Sequence, residues 1–174
     1  MMATNNGETL LNSTHSPAAV VNYFLDLSRE QGVPVTHVKI QKLLYLAQGF
    51  YLAEEETPLL NEPIEAWKEA IVCASVYYEY RDWGNRCISP VLRNYMCDGT
   101  GTKLPKIRNT PQVERHLRRI WECSAHVDDK TLIEELYWPE ILDEAKRHGL
   151  KRGYNISNDM LKQRFEQLTK GENQ

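Results

Sequence analysis

A mainly α-helical fold, one compact domain with a minor short β element, is what this sequence predicts. Three observations carry it. Apolar residues recur at three- and four-residue spacings in successive stretches. Those stretches open on capping hydroxyls, several followed by proline, and close on glycine. The 174 residues hold no internal repeat and no linker long enough to split them, so one core is the default.

In chain order, residues 1–15, "MMATNNGETLLNSTH", form a polar tail, and the single domain runs from 16 to 170. Ser16-Pro17 is a cap followed by a proline whose missing N–H the first helical turn does not need. Val20, Tyr23, Phe24 and Leu27 give that helix its apolar stripe, and Gly32 offers a left-handed stop. Pro34 extends the chain and Thr36 caps a second helix, in which Ile40, Leu43, Leu44, Ala47, Phe50 and Tyr51 share one broad face. Leu46 and Leu52 carry apolar surface round the cylinder, the mark of a central helix. Gln41, Tyr45 and Gln48 make a narrow polar stripe on it. Gly49 costs roughly 1 kcal/mol against alanine, which predicts another backbone packed there.

A turn-rich connection then leads to "IEAW", a short strand or extended bridge, and a second strand is expected around Ile88. From Ile71 the spacing Val72, Val76, Tyr80, Trp83 reads as a helix ending at Gly84. Residues 85–109 read as irregular, with a hairpin about Asp98-Gly99. Thr110-Pro111 repeats the cap-proline start; short helices follow over 129–137 and 139–148, and Ser157 caps a last helix with Leu161, Phe165 and Leu168 inward.

Composition excludes several classes. With 41% hydrophobic and 26% charged residues the chain matches globular proteins rather than disordered ones. A formal net charge of -3 gives no global attraction to nucleic acid or anionic membrane. The apolar run at 43–52 is too short and too polar to span a bilayer, and the N-terminus does not read as a signal peptide, so a cytoplasmic address is expected. Cys73, Cys87, Cys97 and Cys123 form no C-x-x-C pair and read as buried or half-buried thiols in a reducing compartment.

No catalytic, cofactor-binding or metal-ligating set emerges, and the chain is expected not to be an enzyme. "GTGTKLP" at 99–105 has glycines without phosphate-loop spacing, and no H-x-x-x-H pair occurs. His126 with Asp128 and Asp129 imitates part of a metal or acid–base site, but an acidic helix start explains the aspartates more simply. The basic stretches "ERHLRRIW" and "KRHGLKR" suggest an alternative, a DNA-binding regulator with a local basic patch. Interspersed acids, with Asp143 and Arg147 at i,i+4 spacing, favour a mixed-charge solvated face. Trp67, Tyr77, Tyr78, Tyr80 and Trp83 are dense for one stretch, and the three tyrosines cannot all point inward. Outward Tyr and Trp are usual anchors of protein-binding surfaces, so this group is the candidate partner contact.

Two motifs in order carry a resemblance. Lys39, Gln41, Lys42, Leu43, Leu44, Tyr45, Ala47, Gln48 and Gly49 fit K-[LI]-Q-K-L-L-Y-x-A-Q-G, and Glu62, Pro63, Ile64, Glu65, Ala66 and Trp67 fit E-P-I-E-A-W. The chain resembles the Panacea domain, the SocA-like antitoxin family that includes phage-associated proteins, strongly over 18–84 and more weakly to the end. The resemblance implies a mainly helical, non-enzymatic module that binds a protein toxin, encoded by an adjacent gene. In the founding type it also implies delivery of the toxin to a cytosolic AAA+ protease. There is one departure: where the family runs from the tryptophan into a tyrosine and a Gly-Pro-Val turn, this chain has "KEAIVCASVYYEY". Either the next helix begins earlier or the turn is made differently. Gln41, Gln48 and Glu65 are expected to serve a buried polar network rather than a partner.

Overall fold

The computed structural model describes residues 14–89, 94–95, 102–108, 110–148 and 153–171. Helix α1 (Pro17–Gln31) begins where Ser16 Oγ accepts the Ala19 N–H at 3.2 Å and ends at Gly32, whose φ of 66° is the left-handed stop. Thr36 Oγ1 accepts the Lys39 N–H at 3.1 Å and opens α2 (His37–Glu55), which is buried on nearly every side. His15, placed in the tail by sequence, is instead tied down: its N–H donates to Leu59 O and its carbonyl accepts the Asn61 N–H.

Strand β1 (Ile64–Ala66) turns back into β2 (Ile71–Val72), the turn closed by Trp67 N–H donating to Ala70 O at 2.7 Å. This corrects the expectation of a helix from Ile71: the chain first pairs as a hairpin, and α3 (Ala74–Tyr80) starts later and tightens into a 3-10 turn over Arg81–Trp83. The departure after Trp67 is thus a turn made differently. Near Ile88 no strand runs; Cys87 makes a single antiparallel bridge to Thr36. Strands β3 (Asn94–Tyr95) and β4 (Thr102–Lys103) pair antiparallel as the arms of the expected hairpin, while Asp98 and Gly99 lie outside the described residues.

Helices α4 (Pro111–Ser124), α5 (Asp129–Glu135) and α6 (Pro139–Arg147) follow, then β5 (Tyr154–Ile156) and α7 (Asn158–Gly171). Thr110 takes the N-cap position of α4, with Pro111 after it, but its side chain makes no capping bond; the hydroxyl donates to Arg108 O at 2.9 Å. Strand β5 pairs antiparallel with β1 in the register Ile64↔Ile156 and Ala66↔Tyr154, giving a small sheet in the order β2-β1-β5. Helix α2 is the hub, with α7, α4, α1, α5, α3 and β2 all packed on it. Gly49 marks the tightest approach, yet the neighbour is a side chain and not the expected backbone: an added Cβ would lie 2.1 Å from Phe165 Cε2.

Three histidines, His15, His37 and His116, are buried, and burial holds each imidazole below its ordinary value, with Arg108 adding to the effect at His15. At His116 burial outweighs the nearby Glu54, and the ring bonds Ala47 O through Nε2 at 2.9 Å. The unfolded chain therefore binds more protons than the native one below pH 6.5, so stability is full above that value and falls as pH drops. Each histidine is expected to cost about 1 kcal/mol or less between pH 7.5 and 6, a range in which ordinary carboxylates stay ionised. Urea midpoints that fall with acid over this range check the sign.

Candidate partner-binding surface

The hairpin turn leaves Trp67 at the mouth of the small sheet. Its indole N–H donates to Glu65 Oε2 at 2.8 Å, and Gly153 lies flat against the ring, where a Cβ would come within 2.2 Å of Cδ1. The ring is therefore fixed from one side. From α3, Tyr77 meets it edge-on at 4.6 Å between centroids, with His37 behind at 5.1 Å. Tyr78 lies 5.9 Å from Trp67 and 5.8 Å from Tyr77, is 58% exposed, and carries the Arg81 guanidinium 5.6 Å above its ring. Two of the five candidate aromatics sit elsewhere. Tyr80 is in the core, and burial pushes its hydroxyl well above the ordinary range. Trp83 is half-buried in the 3-10 turn under Arg86, which donates to Asp82 O and Trp83 O.

The motif residues hold this surface from inside. Gln41 Oε1 accepts the Cys73 N–H at 2.7 Å, and its amide donates to Cys73 O at 3.4 Å. Cys73 is the N-cap of α3 and has no capping hydrogen bond from its own side chain, so Gln41 sets where α3 and its tyrosines begin. Gln48 Oε1 accepts both Leu59 and Leu60 N–H groups, at 3.0 and 2.9 Å, ahead of β1. Lys39 is buried but saturated: Nζ donates to Ala125 O at 2.9 Å and to Val127 O, and lies 3.9 Å from Asp129, so a cation closes the C-terminal end of α4. Lys42 is as deeply placed, and burial lowers its ammonium below the usual lysine range. Tyr45 packs edge-on against Phe165 at 5.0 Å, and burial pushes its hydroxyl up to about 12. Glu62 and Pro63 line a shallow cleft with Asn155 and Asn158.

His126 is exposed, and its two acidic neighbours are engaged in hydrogen bonds. Asp128 caps α5 through the Thr131 N–H, and Asp129 accepts the Thr36 hydroxyl at 2.5 Å. Among the described residues no group of three or more His, Cys, Asp or Glu is placed to hold a metal ion. In the basic stretches Arg119 pairs with Glu54 at 2.5 Å, Lys146 with Asp143 at 2.9 Å, and Arg147 with Glu144 rather than with Asp143, while Arg115 and Arg118 are exposed and Lys151 and Arg152 lie outside the described residues. Of the cysteines, Cys73 is buried with its thiol pushed up to about 11, while Cys87 and Cys123 are exposed, contrary to expectation; Cys97 lies outside the described residues.

Sequence reasoning missed a second concave surface. His37 faces the ring cluster, and Leu46, nine residues on, points half a helical revolution away. There Leu46 and Phe50 form the floor of a groove of about 520 Å³ walled by α4, α5 and α7. The signal that could have found it is the segment 132–137: Leu132 and Ile133 of α5, with Leu136 and Tyr137 just past its end, spread apolar surface too widely for one buried face.

The polar residues of the first motif, Lys39, Gln41, Lys42 and Gln48, are buried, while Tyr78 stands exposed beside Trp67 and Tyr77. A family model described as "Antitoxin SocA-like, Panacea domain" matches residues 40–173, and the chain belongs to that family. The Antitoxin SocA of Caulobacter vibrioides (strain NA1000 / CB15N) is 41% identical over 59 residues, covering 34% of this chain and 31% of that protein. The likeness to that relative thus spans about a third of its length. No solved structure matches the chain. The family supports an antitoxin role, and with it a toxin partner in general terms. Among the described residues no helix is long and apolar enough to cross a membrane.

Proposed function

We propose that this protein neutralises a protein toxin by binding it directly, with Trp67, Tyr77 and Tyr78 as the contact and no catalysis of its own. The observation that carries the reading is the pre-set ring cluster: Tyr78 stands 58% exposed on two buttressing aromatics and beneath a guanidinium. Rigid Tyr and Trp rings lose little conformational freedom on binding and dominate interface energetics. The toxin is the product of an adjacent gene, the encounter takes place in the cytoplasm, and the bound toxin is handed to a AAA+ protease.

Growth of cells expressing the neighbouring gene's product, with and without this chain, tests the pairing. Arrest relieved by co-expression supports it, and a harmless neighbour removes it. The toxin's half-life with and without this chain tests the protease step. At the surface itself, Tyr78→Ala is expected to weaken toxin binding by about 2 kcal/mol, roughly thirtyfold, with the thermal midpoint within about 2 °C of the parent. Calorimetric titration beside a thermal melt separates the two effects. Full affinity in the variant would remove Tyr78 from the contact.

A further inference from the structure

The groove floored by Leu46 and Phe50 has the wrong surface to be a packing defect. Ile120, Leu132, Leu136 and Leu168 complete its apolar lining, and its 520 Å³ lies within the span of about 300–1,000 Å³ common to sites that take a ligand. The apolar character does not stop at its edge. Next to Leu132 on α5 stands Ile133, and next to Leu136, just past the helix end, stands Tyr137, 44% and 55% exposed; with Tyr78 they are the exposed large hydrophobics of the described residues. Apolar surface spreading from a groove across its rim marks a protein contact.

The chemistry around it is acidic. The segment 128–135 carries Asp128, Asp129, Glu134 and Glu135; Asp129 is held by Thr36 and lies 3.9 Å from Lys39, and Glu134 pairs with Lys130 at 3.8 Å. Glu135 lines the groove, is exposed, and makes no ion pair among the described residues. Of the positive charges at hand, Arg119 pairs with Glu54 at 2.5 Å and Lys162 on α7 with Glu56 at 2.6 Å, while Arg164 donates to Tyr137 O at 3.2 Å and lies over the Trp138 ring. The walls are four helices that offer side chains and no open strand edge. An occupant must therefore satisfy its own backbone, as a helix does.

We propose that the groove between α2, α4, α5 and α7, with Ile133 and Tyr137, docks a basic amphipathic helix of a partner protein. Its apolar stripe enters the groove and its cations meet Glu135. This surface uses none of the rings of the toxin contact, so the two stand or fall separately.

Cys123, exposed in the groove wall, reports occupancy. Two synthetic peptides with one shared leucine pattern at i, i+3, i+4 and i+7 serve as probes, one with lysines on the remaining face and one with glutamates. Alkylation of Cys123 in the full chain is followed by peptide mapping, with Cys87, exposed outside the groove, as the internal control. The lysine peptide at ten times its dissociation constant is expected to slow Cys123 by about tenfold and to leave Cys87 unchanged. Its affinity should fall about tenfold in the exposed-site variant Ile133→Ser/Tyr137→Ser, fall severalfold in Glu135→Lys, and stay level in Tyr78→Ala. Equal protection by the glutamate peptide, no protection by either, or indifference to the α5 variants overturns the proposal. Cys123 protected without peptide in a sedimenting dimer would overturn it in favour of a second copy as occupant.

Discussion

Phe165→Ala is expected to lower the unfolding free energy by about 3–5 kcal/mol, the range for emptying a fully buried aromatic site. The ring is wholly buried against Tyr45 and Phe50, at 5.0 and 4.9 Å between centroids, and joins α7 to the hub helix. What makes the site diagnostic is Gly49 beneath it. On its own, Gly49→Ala gains about 0.5–1 kcal/mol of helix propensity but drives a Cβ into a ring 2.1 Å away. Overpacking costs about 1–3 kcal/mol, so a net loss is expected. Once Phe165 is alanine the obstruction is gone, and the same Gly49→Ala change should become neutral or stabilising by up to about 1 kcal/mol. Urea unfolding of the parent, both single variants and the double variant measures the cycle. A Gly49→Ala cost that is identical in both backgrounds would show that the ring is not what reserves the position for glycine.

That pair also marks the boundary of what the sequence discloses. A glycine inside an otherwise strong helix signals a close neighbour, because its cost must be offset; it carries no address for the neighbour, and Phe165 lies on the last helix. Caps were legible because they are local: Ser16, Thr36 and Gly32 act within a few residues of themselves. The start of α3 was not. Val72, Val76 and Tyr80 fit a helical period, but Ile71 and Val72 are equally good strand residues, and the choice is made from a distance. Pairing with Glu65 and Ala66 and the grip of Gln41 on Cys73 settle it. Periodicity cannot see either partner.

The candidate surface was legible for a related reason, and only in part. Tyr77, Tyr78 and Tyr80 on one short helix must diverge, which sequence shows; that Tyr80 turns into the core and Tyr77 and Tyr78 onto Trp67 depends on where the hairpin places that indole. The groove escaped because its lining is shared among four helices, each contributing residues that read as ordinary core. Only Ile133 on α5 and Tyr137 just past its end betray it, by carrying apolar surface beyond what the fold consumes.

Gln48→Leu is expected to cost about 2–5 kcal/mol although it adds apolar bulk to an apolar helix. The Leu59 and Leu60 side chains are buried, and their backbone N–H groups both donate to Gln48 Oε1. Each buried donor left without an acceptor costs about 1–3 kcal/mol, and leucine supplies none. The loss of Gln48 Nε2 donating to Asn158 Oδ1 at 3.3 Å adds less, since Asn158 is exposed and can turn to water. Gln48→Glu keeps oxygens facing both amides and should recover part of the stability, which separates missing acceptors from altered shape. Hydrogen exchange gives the local readout: the Leu59 and Leu60 amides should lose protection in the leucine variant ahead of the rest of α2. The segment they anchor runs straight into β1 and Trp67, so loosening it should also weaken toxin binding without touching a surface residue. Unchanged stability and unchanged exchange in Gln48→Leu would mean that this part of the polar stripe does not hold the fold, and would return Gln48 to the residues available for a partner.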